Sequence, residues 1–219
     1  MPDIIFNGTA GRLEGRYSPS KSPNAPIALL MHPHPQHGGT MNNKVVYLLH
    51  KAFRQNGFAT LRFNFRGVNR SQGEYDKGKG ELADATHALE WLQTVHKNAP
   101  QIWVAGFSFG SWISMQLLMR RPEISGFISV SPPANKYDFS FLAPCPCGGL
   151  VVQGTSDTVV TTESVDELVA MIREQRGDDA IDYRTLNKGD HFFRGMENDL
   201  LDNLSGYIDS KMRYRMVAE

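Results

Sequence analysis

An α/β fold with a mainly parallel sheet is what this chain's residue pattern predicts, and three observations carry the prediction. Short apolar runs, such as IALLMH at 27–32, alternate with longer segments whose apolar residues recur at spacings of three and four. Gly, Pro and Asn punctuate the joints between them. One joint, GFSFG at 106–110, sets a single serine between a strand-like run and a helix-like run.

Each element has its own local reason. Residues 4–6 and 13–17 flank Gly8 and Gly11 and read as an opening hairpin. Residues 18–26 are rich in Pro and Ser, a loop. Residues 27–32 form a buried strand. Residues 40–56 form a helix capped by Thr40 and stopped by Gly57. A strand follows at 58–65. The helix at 80–96 has Leu82, Ala85, Leu89 and Leu92 on one face. Then come a strand at 102–107, a helix at 109–120, and strands at 126–131 and 150–153. The helix at 162–176 carries Val165, Leu168, Val169 and Ile172 on one stripe. A last strand, 181–186, precedes a closing helix at 192–212. No repeat or composition shift marks a second domain, so residues 1–219 read as one. Right-handed crossovers then put helices on both faces of the sheet, and chemistry is expected beyond the carboxyl ends of the strands.

Composition excludes several classes. Of 219 residues, 41% are hydrophobic, enough for a core. The 23 basic residues balance 23 acidic ones, so nothing favours nucleic acid or an anionic membrane as a partner. The opening residues lack a signal-peptide pattern, and no apolar stretch approaches the roughly 18 residues of a membrane span. The expectation is a soluble cytoplasmic protein. Cys145 and Cys147 flank Pro146, and a disulfide there would be strained, so they read as reduced structural thiols with no cation visible nearby. The tail at 212–219 reads as a frayed end, with packing on a second subunit, and so a homo-oligomer, as the alternative.

The G-x-S-x-G joint is the centre of the functional reading. Such a turn is too tight for side chains at the glycines, and it lifts the serine hydroxyl above the sheet edge. The amides at the start of the next helix face the same spot, where negative charge would develop. Ser108 is the candidate nucleophile. The acid and the histidine should follow in that order. Asp157 lies just past the strand at 150–153, and His191 lies in the loop after 181–186. Asp190 is a rival acid, disfavoured because a sequence neighbour of His191 points its side chain elsewhere. His50, His87 and His96 fall on helices and read as surface residues.

The loop HPHPQHGGT, 32–40, follows the third strand, where a second oxyanion donor is expected. Pro33 and Pro35 lack N–H groups, which leaves the His34 amide to act with the Phe109 amide. The rival reading is a metal site from His32, His34 and His37, for which zinc would want a further ligand. Phe107, Phe192 and Phe193 are candidates for an apolar pocket. Asn135, Tyr137 and Asp138 read as a solvated loop, with contact to substrate as the alternative.

Together HPHPQHGGTMNN, LRFNFRGVNRSQGEYD, VAGFSFGSW and GDHFF resemble the α/β-hydrolase superfamily over nearly the whole chain. More narrowly they resemble a small lidless bacterial branch near the carboxylesterases and dienelactone hydrolases. The resemblance implies an eight-stranded, mostly parallel sheet with its second strand antiparallel and no lid domain. It implies a Ser108–Asp157–His191 triad with no metal and no organic cofactor. Two departures stand out. Asn69 replaces a usual glycine, a substitution tolerable because Asn accepts a left-handed backbone. The elbow carries Ser where dienelactone hydrolases use Cys. The expected activity is hydrolysis of small carboxylic esters through an acyl-enzyme in an open site. Thioester or amide cleavage is the nearer alternative, and a non-catalytic ligand-binding homologue the more distant one.

Overall fold

In the computed structural model, which describes residues 3–142 and 144–218 (the last five as backbone only), eight strands form one sheet. They are β1 Asp3–Gly8, β2 Gly11–Ser18, β3 Ile27–Met31, β4 Ala59–Phe63, β5 Ile102–Phe107, β6 Ile124–Val130, β7 Gly149–Gly154 and β8 Ile181–Leu186. Their spatial order is β1-β2-β4-β3-β5-β6-β7-β8. β2 runs antiparallel to both β1 and β4, and every other pairing is parallel. This is the α/β-hydrolase fold, and the described residues between β6 and β7 hold one short turn of helix, Ser140–Leu142, rather than an inserted lid.

Five α-helices cover the sheet: α1 Lys44–Gln55, α2 Lys79–Val95, α3 Phe109–Leu118, α4 Thr162–Arg176 and α5 Glu197–Ala218. The period-two alternation of the buried strands sorts the core into two layers. Ile27, Leu29 and Met31 of β3 face α2, α3 and α4, while Ala28 and Leu30 face α1 and α5. No helix among the described residues is long and apolar enough to cross a membrane.

Several boundaries differ from the sequence reading, each for a local reason. α1 starts at Lys44, with Asn43 as its cap accepting from the Val45 amide at 2.9 Å. Thr40 instead closes a preceding turn, its carbonyl accepting from the Asn43 amide at 3.0 Å. α5 begins at Glu197 rather than 192, because Phe193 (φ 53°) and Gly195 (φ 75°) hold the chain in left-handed turns. Asp190 braces those turns by accepting from the Phe192 and Arg194 amides. The tail read as frayed is helical to Ala218, and Glu219 lies outside the described residues.

His50 is a correction of another kind. It is buried, with Nδ1 2.8 Å from Thr60 Oγ1. The helical pattern placed it on α1 but did not show that this side of α1 faces β4. His96 is half-buried against the Tyr17 hydroxyl at 2.6 Å, and His87 is half-buried near the Ala83 carbonyl. Cys145 and Cys147 are free thiols, but they do have a cation beside them. Arg176, at the end of α4, donates to the Cys147 carbonyl at 3.1 Å. The hydrogen bond from Cys147 holds the Cys145 thiol down to about 7, against burial and with help from Arg176. This pair precedes β7, at the opposite end of the sheet from Ser108.

The strand order fixes where a site can form. From β3 the chain steps to β4 on one side, then returns to β5 on the other. Loops leaving β3 and β5 therefore diverge and open a crevice at their carboxyl ends. Residues 32–40 and Ser108 line that crevice.

Candidate active site

Ser108 sits between β5 and α3 at φ 53° and ψ −121°. This backbone conformation costs on the order of 1–3 kcal/mol for a non-glycine residue and persists only where the surroundings enforce it. The enforcement is visible. The Ser108 amide donates to the Val130 carbonyl at 2.9 Å, and the Ser111 amide and hydroxyl both donate to the Ser108 carbonyl. A Cβ on Gly106 would overlap the Gly110 carbonyl group, and one on Gly110 would lie 2.5 Å from the Met31 and His32 carbonyl oxygens. Both glycines of the motif are therefore required by close backbone approach.

The two partners arrive from later crossovers. His191 Nε2 lies 3.2 Å from Ser108 Oγ, and His191 Nδ1 lies 2.7 Å from Asp157 Oδ2. A carboxylate only accepts, so the ring proton sits on Nδ1 and Nε2 is left to accept from the serine hydroxyl. Asp157 Oδ1 accepts from the Val159 and Val160 amides, each at 2.8 Å. Burial alone would raise the Asp157 pKa, but hydrogen bonds from His191 and those two amides outweigh it and hold the carboxyl below its ordinary value. Asp190, the rival acid, turns away to its own loop amides and lies 3.6 Å from Arg194.

The residues assigned to the oxyanion hole are neighbours. The Phe109 amide opens α3, and the His34 and Phe109 rings are 5.0 Å apart. The His34 carbonyl accepts from the His37 and Gly39 amides, which folds HPHPQHGG into a tight turn. Gly39 is needed there because a Cβ would overlap the Pro33 carbonyl. His32 is not placed to hold a metal. Its Nδ1–H donates to the Pro33 carbonyl at 2.6 Å, and its Nε2 accepts from the Phe65 amide at 3.0 Å, so both nitrogens are engaged. It is fully buried, and burial pushes its pKa down to about 4. No group of three or more His, Cys, Asp or Glu among the described residues is arranged to hold a metal ion.

A pocket of about 420 Å³ opens above Ser108 and His191. Phe109 and Phe192 line it. Phe193 does not: it is fully buried in the core against α1 and α5, because its left-handed backbone turns it under the sheet edge. Phe107 is also fully buried, with its ring 5.0 Å from that of His191, so it supports the histidine rather than lining the cavity. Asn69 adopts φ 48°, the left-handed conformation that asparagine tolerates.

A model of the X-Pro dipeptidyl-peptidase (S15) family matches residues 16–188. The chain belongs to that family. Its neighbours in structure include ATU1826 of Agrobacterium tumefaciens, a protein of unknown function. The two share 55% identity over 97% of each chain, with a TM-score of 0.93. An α/β serine hydrolase homologue from Coxiella burnetii is 37% identical, covers 94% of this chain and 96% of that one, and gives a TM-score of 0.86. RP471 of Rickettsia prowazekii, itself uncharacterized, is 52% identical over 211 residues, 95% of this chain and 89% of that protein. These likenesses place the S15-family chain among the α/β serine hydrolase homologues.

Sequence reasoning missed Gln153 and Lys136, and ranked Tyr137 as solvated ahead of substrate-facing. Gln153, buried on β7, donates to the Val160 carbonyl at 2.9 Å and to Asp157 Oδ2 at 3.3 Å, bracing the acid loop. Tyr137, read as solvated, lines the pocket and stacks on Trp112 at 4.3 Å. Lys136 lines the pocket as well. Gln153 could be suspected from its place at a strand end four residues before the acid. The other two carry no local signal, since the loop after β6 has no periodicity to say which residues turn inward.

Proposed function

We propose that the protein is a serine hydrolase that cleaves small carboxylic esters through an acyl-enzyme. The observation that carries this reading is the chain of contacts from Ser108 Oγ through His191 to Asp157, at 3.2 and 2.7 Å, on the floor of an open pocket. Ser108 attacks the ester carbonyl while His191 Nε2 takes its proton, and Asp157 stabilises the imidazolium formed. The His34 and Phe109 amides receive the oxyanion. His191 then returns the proton to the leaving alcohol, and a water activated by the same nitrogen releases the acid.

The family description names a peptidase, which brings amide cleavage as a second reading. Releasing a dipeptide from a free amino terminus calls for a counter-charge to the substrate ammonium. The described residues lining the pocket include no Asp or Glu, so an ester fits the site better.

The decisive experiment uses Ser108→Ala and a p-nitrophenyl ester, with fluorophosphonate labelling alongside. Wild-type protein should turn over the ester and be labelled at Ser108, and the variant should do neither while melting as a folded protein. Wild-type turnover by Ser108→Ala would remove Ser108 from the chemistry. A panel of matched ester, thioester and amide substrates then ranks the three chemistries.

A further inference from the structure

The pocket above Ser108 is lined by two unlike kinds of side chain. Phe109, Val159 and Phe192 give it apolar surface, while His34, His37 and Lys136 bring nitrogen to the same lining. Carboxylates close in sequence or space are committed elsewhere. Asp157 lies beneath His191, and Asp190 holds its own turn. Asp138 accepts from the Ser140 amide and hydroxyl, and Glu81 accepts from the Asp76 and Gly78 amides. None of them offers Lys136 a partner.

Lys136 is held at the mouth by its neighbours. Pro132 and Pro133 stiffen the approach, and the Pro133 carbonyl accepts from the Lys136 and Tyr137 amides, each at 3.0 Å. Asn135 Nδ2 donates to the Val159 carbonyl at 3.0 Å, tying the turn to the acid loop. Tyr137 is fixed on the other side by stacking on Trp112. The side chain is exposed, but its origin is pinned between two anchored residues. Among the described residues its ammonium has no ion-pair partner. Burial, with the charges of His37 and Lys136, lowers the His34 pKa. Arg194 is also near the mouth, but it is shared between Asp190 at 3.6 Å and the Phe192 ring at 5.2 Å.

From this arrangement we infer that the pocket selects esters bearing a carboxylate away from the scissile bond, with Lys136 as the specificity-determining contact. The inference rests on the ester-hydrolase reading. The apolar lining takes the hydrocarbon part of the substrate, so neutral esters are also accepted, with lower kcat/KM. An exposed ammonium–carboxylate contact at about 4 Å gives roughly a fivefold preference in water, and more where the walls exclude solvent. The preference weakens with salt, because the screening length falls to about 3 Å at 1 M.

The test compares matched pairs. Mono-p-nitrophenyl glutarate against p-nitrophenyl pentanoate places the charge on the acyl side. 4-Acetoxybenzoate against its methyl ester places it on the alcohol side. In at least one pair the charged ester should have the higher kcat/KM by roughly fivefold or more, carried mostly in KM and reduced by salt. Lys136→Glu should reverse that preference, and Lys136→Arg should keep it. Equal turnover within both pairs, or a preference that Lys136→Glu leaves in place, overturns the inference while ester hydrolysis stands. If no ester of either charge is turned over, the ester reading falls and the inference falls with it.

Discussion

Replacing Asp157 with Asn tests the proposed relay without changing its shape. All four groups that reach the Asp157 side chain are donors: His191 Nδ1, the Val159 and Val160 amides, and Gln153 Nε2. An asparagine has one acceptor oxygen instead of two. The paired backbone amides claim it, so the NH₂ group faces His191 Nδ1. The imidazole must then carry its proton on Nε2, where it can no longer accept from Ser108. An unmade buried hydrogen bond costs about 1–3 kcal/mol. The lost carboxylate–imidazolium attraction adds on the order of 4 kcal/mol. At about 1.4 kcal/mol per factor of ten, kcat should fall by about 10⁴, the size seen when the acid of a serine triad becomes an amide. The assay is steady-state hydrolysis of p-nitrophenyl butyrate, with a thermal melt to confirm folding. A folded variant with kcat within tenfold of wild type would refute Asp157 as the orienting group. The same variant should also flatten the acid limb of stability. The folded pKa of Asp157 lies below its unfolded value, so its stabilisation is present above the unfolded pKa and lost as pH falls through the folded one.

Two further outcomes follow from packing and titration. Gly110→Ala puts a Cβ against the Met31 and His32 carbonyls and should cost about 2–3 kcal/mol, a fall in Tm on the order of 5–10 °C by calorimetry; an unchanged Tm would mean that α3 can shift freely from β3. His32 and His50 are both held down to about 4, by burial first and, for His50, by Arg62 and Arg54 as well. Their unfolded values lie near 6.5, so the unfolded chain binds more protons between the two values. Their contribution is complete above about pH 6.5 and is lost as pH drops toward 4, by at most about 1.4 kcal/mol per pH unit for each histidine. Urea melts from pH 7 to 4.5 should show this slope, and His50→Gln should remove about half of it.

The legible parts of the site were those with a local geometric requirement. Gly106-Phe107-Ser108-Phe109-Gly110 declares itself because a strand-to-helix turn of that tightness admits only glycine at both flanks. Asp157 and His191 were legible because each lies just past a strand end, and strand ends converge in a parallel sheet. The pocket wall was not legible. Phe192 and Phe193 are adjacent aromatics with the same propensities, yet one faces the cavity and the other the core. A positive φ at Phe193 decides between them, and nothing in the residue itself announces it.

Local pattern was enough to place eight strands, five helices and three chemically paired side chains in this chain, because periodicity and turn chemistry act over a few residues. It could not place Gln153 beneath Asp157, bury His50 against Thr60, or bring Arg176 to the cysteines. Those contacts join elements distant along the chain, or depend on which side of a helix meets the sheet. Only the packed arrangement of layers decides them, and the same packing put a lysine among the apolar residues that line the site.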